Sequence, residues 1–193
     1  MAPSKKRTIS DLLEVLQKYE NRWDEMALKV FGNSQRTSSR SGIRKAEAAF
    51  RFAKIVQQFG IKTFADALKL GLSEDLERAI KTIEGQGSGI CLAYFLILAG
   101  HQDVVKPDRW LRRFVANARG RKSVAPEVAV QLVRSASLVL RPEFPNLVPS
   151  VLENKIWNYE RGQDNKLKNR CEGDGDHCST SAELKHRENH LSV

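Results

Sequence analysis

Apolar residues recur at helical spacing along most of this chain. Leu12, Leu13, Val15, Leu16, Trp23, Met26, Ala27 and Val30 all fall on helix-compatible positions within residues 9–31. This predicts two helices or one bent helix, with Thr8 or Ser10 as the starting cap. Residues 32–42 read Gly-Asn-Ser-Gln-Arg-Thr-Ser-Ser-Arg-Ser-Gly, a polar loop. An Ala-rich helix is predicted over 43–59, stopped by Gly60 just beyond its cap. A short helix over 63–70 ends at Gly71. Ser73, Glu74 and Asp75 then open a helix to about Ile83, since acids suit the positive helix end. The apolar run Ile90–Ala99 forms the next helix, and Gly100 ends it. Pro107 opens another with Asp108 in its first turn, running to about Ala118. Helices over 126–140 and 149–161 follow. No stretch alternates long enough to demand a strand. The pattern predicts an all-α, multi-helix globular domain with roughly eight to ten helices and short loops.

Composition shifts at Gln163. The stretch Gln-Asp-Asn-Lys-Leu-Lys-Asn-Arg-Cys-Glu-Gly-Asp-Gly-Asp-His is polar and Gly-containing. The expected organisation is a helical domain over 1–162 and a polar, disordered tail over 163–193.

Charge narrows the choice of partner. The 193 residues carry 32 Lys and Arg against 23 Asp and Glu, a net +9. From Gln163 onward there are five basic and six acidic residues, so the whole excess lies in residues 1–162. A basic folded part favours an anionic partner, nucleic acid foremost. Three cysteines, Cys91, Cys171 and Cys178, are too few for a secreted disulfide scaffold. Met1–Arg7 leads into an amphipathic segment rather than an apolar one, so no signal peptide is expected. The run Ile90–Ala99 falls well short of the roughly 20 residues that span a bilayer. The expectation is a soluble cytoplasmic monomer, nucleoid-associated, with no membrane partner.

Two groups of residues invite chemistry. Gly85, Gly87 and Gly89 alternate between two helices. Glycine opens backbone conformations closed to other residues and lets a ligand approach closely. The amides of Gly85, Gln86, Gly87, Ser88 and Gly89, with the following helix N-terminus, suit a phosphate. They equally suit a tight turn and nothing more. Asp108 fits a catalytic carboxylate or an ordinary helix cap. Lys106, Arg109, Arg112 and Arg113 around it fit phosphate contacts or a solvated helix face. Trp110, Tyr94 and Phe95 fit base stacking, with core packing favoured. Gln35, Arg36 and Arg40, with Ser38, Ser39 and Arg44, make a basic, hydroxyl-rich loop suited to a DNA backbone or groove.

The order of helix, glycine hairpin, apolar helix, short loop and Pro-Asp at a helix start resembles the helix-hairpin-helix DNA glycosylase superfamily. Its members include the endonuclease-III-like, adenine-mismatch and alkylpurine glycosylases. Their hairpin reads roughly Leu-Pro-Gly-x-Gly-x-x-Thr-Ala, against Ile83-Glu84-Gly85-Gln86-Gly87-Ser88-Gly89-Ile90-Cys91 here. Asp108, 19 residues after Gly89 and followed by Arg112 and Arg113, resembles their catalytic aspartate. The likeness spans about residues 75–120.

The resemblance implies double-stranded DNA as partner and a base flipped out of the stack. It gives Asp108 the role of stabilising an oxocarbenium-like sugar or activating water. A monovalent cation at the hairpin is the one ion it leaves room for; no other cofactor is expected. The departures are specific. Gly89 stands where bifunctional members carry a lysine, so the implied enzyme is a monofunctional N-glycosylase without lyase activity. Glu84 replaces the family's proline and brings an acid toward the phosphate. Ser34-Gln35 corresponds to the segment that enters the duplex, at a shorter distance from the hairpin. Two functions stay open: removal of a damaged or mismatched base with Asp108, or a non-catalytic helix-hairpin-helix protein that binds DNA or a partner. A third reading is an all-α domain whose hairpin is structural only.

Some members end in an iron–sulfur loop beginning Cys-x6-Cys, the spacing of Cys171 and Cys178. Ser181 and Arg187 occupy the third and fourth places, so a four-thiolate cluster cannot form. Cys171, Cys178, His186 and His190 carry zinc-ligating atoms, but in a spacing unusual for a compact site.

Overall fold

The structure, a computed structural model, describes residues 8–38 and 42–173, with side chains as far as Asp164. The described residues form nine helices and no strand, with one isolated bridge between Arg36 and Arg44. The all-α expectation holds.

Local signals set most boundaries. Helix α1, Ile9–Gln17, starts at a capping box: the Thr8 hydroxyl accepts from the Asp11 amide at 3.2 Å, and Asp11 accepts from the Thr8 amide at 2.7 Å. Asn21, with φ of 63°, turns the chain into α2, Trp23–Lys29, so the first segment is two helices. Helix α3, Lys45–Gln58, begins two residues later than its pattern suggests because Ile43 and Lys45 bond back to the preceding loop. Helix α4, Phe64–Leu70, repeats the capping box with Thr63 and Asp66, whose carboxyl is pulled below its ordinary range by bonds from the Thr63 hydroxyl and amide and the Lys62 amide. Helix α5, Glu74–Lys81, is capped by Ser73. Helices α6, Ile90–Leu98, and α8, Pro126–Leu140, follow their apolar runs.

Two further boundaries differ from expectation. Helix α7 is Arg109–Ala118; Asp108 is its N-cap with extended backbone, and Pro107 lies outside. Helix α9 runs Pro149–Gly173, well past Arg161. Residues 163–172 contain no proline or glycine, so nothing there breaks the helix. The tail's Cys178, His186 and His190 lie outside the described residues, as does the Cys171 side chain.

Three apolar clusters make the core. Leu13, Leu16, Met26, Ala27, Ala46, Phe50 and Ala53 join α1, α2 and α3. Val56, Ile61, Leu76, Ile80, Ile83, Leu92, Leu96 and Val104 form a second around α3, α5 and α6. Val105, Leu111, Val115, Ala129, Val133 and Ile156 form a third within α7, α8 and α9. Each buried Leu or Ile contributes about 1.5–3 kcal/mol. The chain crosses from the second cluster to the third at a single peptide, Val104–Val105, and the residues after it carry Lys106 and Asp108.

Candidate nucleic-acid interface

The three glycines of the hairpin have different reasons to be glycine. After α5, the Gln86 amide bonds the Ile83 carbonyl at 2.9 Å and the Gly89 amide bonds the Gln86 carbonyl at 3.0 Å, giving two successive turns. Gly85 (φ 80°) and Gly89 (φ 70°) take the left-handed backbone those turns require. Gly85 is also short of room: a Cβ there would stand 2.6 Å from the Thr37 Cβ. Gly87 needs neither allowance, since a Cβ on it would meet nothing within 4 Å. Gly89 is the N-cap of α6 and brings no capping side chain to its first amides. Around Gly89, Glu77 Oε1 and Lys81 Cε would lie 3.4 and 3.5 Å from a Cβ, and the two side chains pair with each other at 2.7 Å.

The polar loop 33–44 is seated on this hairpin. The Thr37 amide bonds the Ile43 carbonyl at 2.9 Å, and the Lys45 amide bonds the Gln35 carbonyl at 2.9 Å, closing the loop on itself. The Thr37 hydroxyl donates to the Glu84 carbonyl at 3.0 Å. Gly42 lets the loop close, because a Cβ there would meet Thr37 Oγ1 at 2.5 Å and the Ser38 carbonyl at 2.9 Å. Arg36 and Gln35 are thereby brought beside the hairpin. Arg36 donates to the Gly42 carbonyl at 2.9 Å, Lys45 Nζ donates to Gln35 Oε1 at 2.6 Å, and Arg44 is held by Asp24 and the Ser34 carbonyl. Arg40 lies outside the described residues.

Asp108 has a different setting. Its Oδ1 accepts from the Trp110 and Leu111 amides at 2.9 and 3.1 Å, and its Oδ2 pairs with Lys106 Nζ at 3.1 Å. Lys106 also stands 3.5 Å from Glu153 Oε1 and faces the rings of Tyr94 and Trp157 at 5.2 and 5.9 Å. Glu153 is only 4% exposed, and that oxygen has no partner in hydrogen-bond geometry. Burial pushes the Glu153 carboxyl above its ordinary range; the Asp108 charge adds to this and Lys106 opposes it.

Of the four cations expected around Asp108, three are turned to partners within the protein. Lys106 is held as described. Arg112 Nε donates to the Val124 carbonyl at 3.0 Å. Arg113 pairs with Glu160 and with Asp164, the latter at 3.1 Å, which together hold its guanidinium above its ordinary range against the effect of burial. Arg109 alone is exposed, 4.4 Å over the Trp110 ring. For Lys106 and Arg113 the cause is α9, whose Glu153, Trp157, Glu160 and Asp164 recur at helical spacing on the α7 side. The apolar spacing of that helix marks Leu152, Ile156 and Tyr159 and gives no sign of this acidic face. Tyr94, expected in the core, is half exposed, whereas Phe95 packs on Phe52 at 5.3 Å.

Among the described residues no group of three or more His, Cys, Asp or Glu side chains is placed to hold a metal ion, and no helix is long and apolar enough to cross a membrane. The family described as a domain of unknown function, DUF8548, matches residues 2–161. The chain belongs to the DUF8548 family. No curated protein and no solved structure matches it. The DUF8548 match takes in the loop, the hairpin, Asp108 and the α9 acids as far as Glu160.

Proposed function

We propose that this chain is a DNA-binding protein that grips duplex phosphate with the 85–89 hairpin, flanked by the 33–44 loop. Gly87 carries the reading. Its neighbours Gly85 and Gly89 are glycines for the backbone's sake, but Gly87 faces open space with no backbone demand. A glycine of that kind suits close approach by a ligand. Uncapped α6 amides favour an anion at the same place. The exposed Arg36 and Lys45 add positive charge beside it. Because Gly87 has room, Gly87→Glu keeps the fold while placing bulk and negative charge on the surface. Binding to a labelled duplex at low salt is expected to fall at least tenfold for this variant; unchanged affinity overturns the reading.

A second reading, base removal by Asp108 as a monofunctional N-glycosylase, draws support from the carboxylate's place at the junction of two apolar clusters. Its Lys106 partner counts against it, because a neutralised carboxylate stabilises a sugar cation less well. A base-release screen over alkylated, oxidised, deaminated and mismatched duplexes decides it. Release that disappears in Asp108→Asn while DNA binding persists supports chemistry; no release from any substrate leaves a binding protein alone.

A further inference from the structure

We propose that Arg109 and Arg161, each laid over an indole, form a stacking face for unpaired nucleotides on the α7–α9 side, separate from the hairpin. Arg109 lies 4.4 Å over the Trp110 ring and Arg161 lies 4.9 Å over the Trp157 ring. Both arginines are exposed and both indoles are half-buried. The two pairs flank one seam. Lys106 meets Glu153 and Trp157 at one end of it, and Arg113 meets Glu160 and Asp164 at the other and lies 4.7 Å over the Trp110 ring.

Charge on this face is sorted by depth. Glu153 and Glu160 are each 4% exposed and are held from within by Lys106 and Arg113. Among the described residues neither Arg109 nor Arg161 has an acidic partner, and both are exposed, so their charge faces outward. A guanidinium already lying on an indole has lost much of its side-chain freedom, and a base can stack on its outer plane at less entropic expense. Aromatic and guanidinium planes beside uncompensated positive charge are what single strands use, since every base has a π-face and every nucleotide a phosphate. Duplex DNA hides its bases from such a face. The proposal therefore adds a second class of contact to the hairpin reading and does not depend on it.

The test uses the full chain and a labelled oligothymidylate of about 20 nucleotides, long enough to cover a typical single-strand site. Binding is expected to weaken steeply with salt and to quench tryptophan fluorescence. Trp23 packs on Phe50 in the N-terminal cluster, so a Trp23→Phe background leaves only the two indoles of interest. Arg109→Ala with Arg161→Ala is expected to weaken single-strand binding at least tenfold. Among the described residues neither arginine makes a hydrogen bond, so the fold should persist, which an unchanged melting temperature verifies. Gly87→Glu should leave single-strand binding intact. Unchanged single-strand affinity in the double variant overturns the proposal. So does binding without quenching, or equal binding of inorganic polyphosphate, which would mark a generic anion surface. Loss of duplex and single-strand binding together in the double variant overturns the separation of the two sites. Duplex binding that is absent in the wild type while single-strand binding holds defeats the hairpin reading alone.

Discussion

The hydroxyl of Thr37 donates to the carbonyl of Glu84 at 3.0 Å, across 47 residues of sequence. That bond ties a loop rich in Arg and Ser to a turn rich in glycine. Thr37→Val keeps the shape but leaves the Glu84 carbonyl without this donor. The expected loss is about 1 kcal/mol in urea unfolding, together with weaker duplex binding. Thr37→Ser should restore both. A Thr37→Val protein that unfolds and binds like the wild type would show the loop to be held by its backbone alone.

Asp108 caps α7 whatever else it does. Asparagine caps about as well as aspartate, and alanine does not. Asp108→Ala should therefore lose about 1–2 kcal/mol of stability and Asp108→Asn distinctly less. Equal losses would place the energy in the Lys106 pair instead. Thermal unfolding of the two variants separates the contributions.

Glu153 makes stability depend on pH in a direction opposite to most carboxylates. Its folded-state carboxyl sits above the ordinary value of 4.5, so the folded protein holds this proton more tightly than the unfolded chain. The stabilising contribution is complete below 4.5 and fades as pH rises through the folded-state value. Lys106 and Asp108 are the charged groups facing it. Glu153→Gln removes the titration. The variant should be more stable than wild type at pH 8, with the gap closing toward pH 4.5. Parallel stability curves would count against the assignment.

Gly89→Lys tests whether the missing lysine can be restored. A side chain at φ of 70° costs about 1–2 kcal/mol, and here it would also press on Glu77 and Lys81. The variant should melt lower and form no borohydride-trapped adduct with abasic DNA. A trapped adduct would mean that the hairpin tolerates a nucleophile after all.

The helices were largely legible because their signals are local. Thr8 with Asp11, Thr63 with Asp66, and the glycines at 60, 71 and 100 act within a few residues of the ends they set. The different standing of the three hairpin glycines was not legible, since it depends on Thr37, far away in sequence. Nor was the fate of Lys106, Arg112 and Arg113. Their sequence neighbourhood is that of a solvated basic helix, and what turns them inward is acid on α9 and a carbonyl at Val124. Spacing along one helix reports its own faces but not which neighbour each face will meet.

The crossing at Val104–Val105 orders the assembly of the molecule. Every buried member of the first two clusters precedes that peptide, and every buried member of the third follows it. Contacts confined to short sequence separations form quickly. A chain leaving the ribosome thus has what its first two clusters need before Lys106 is made. The Tyr94–Lys106–Glu153 seam closes after them, because α9 follows Tyr94 and Lys106 in the chain.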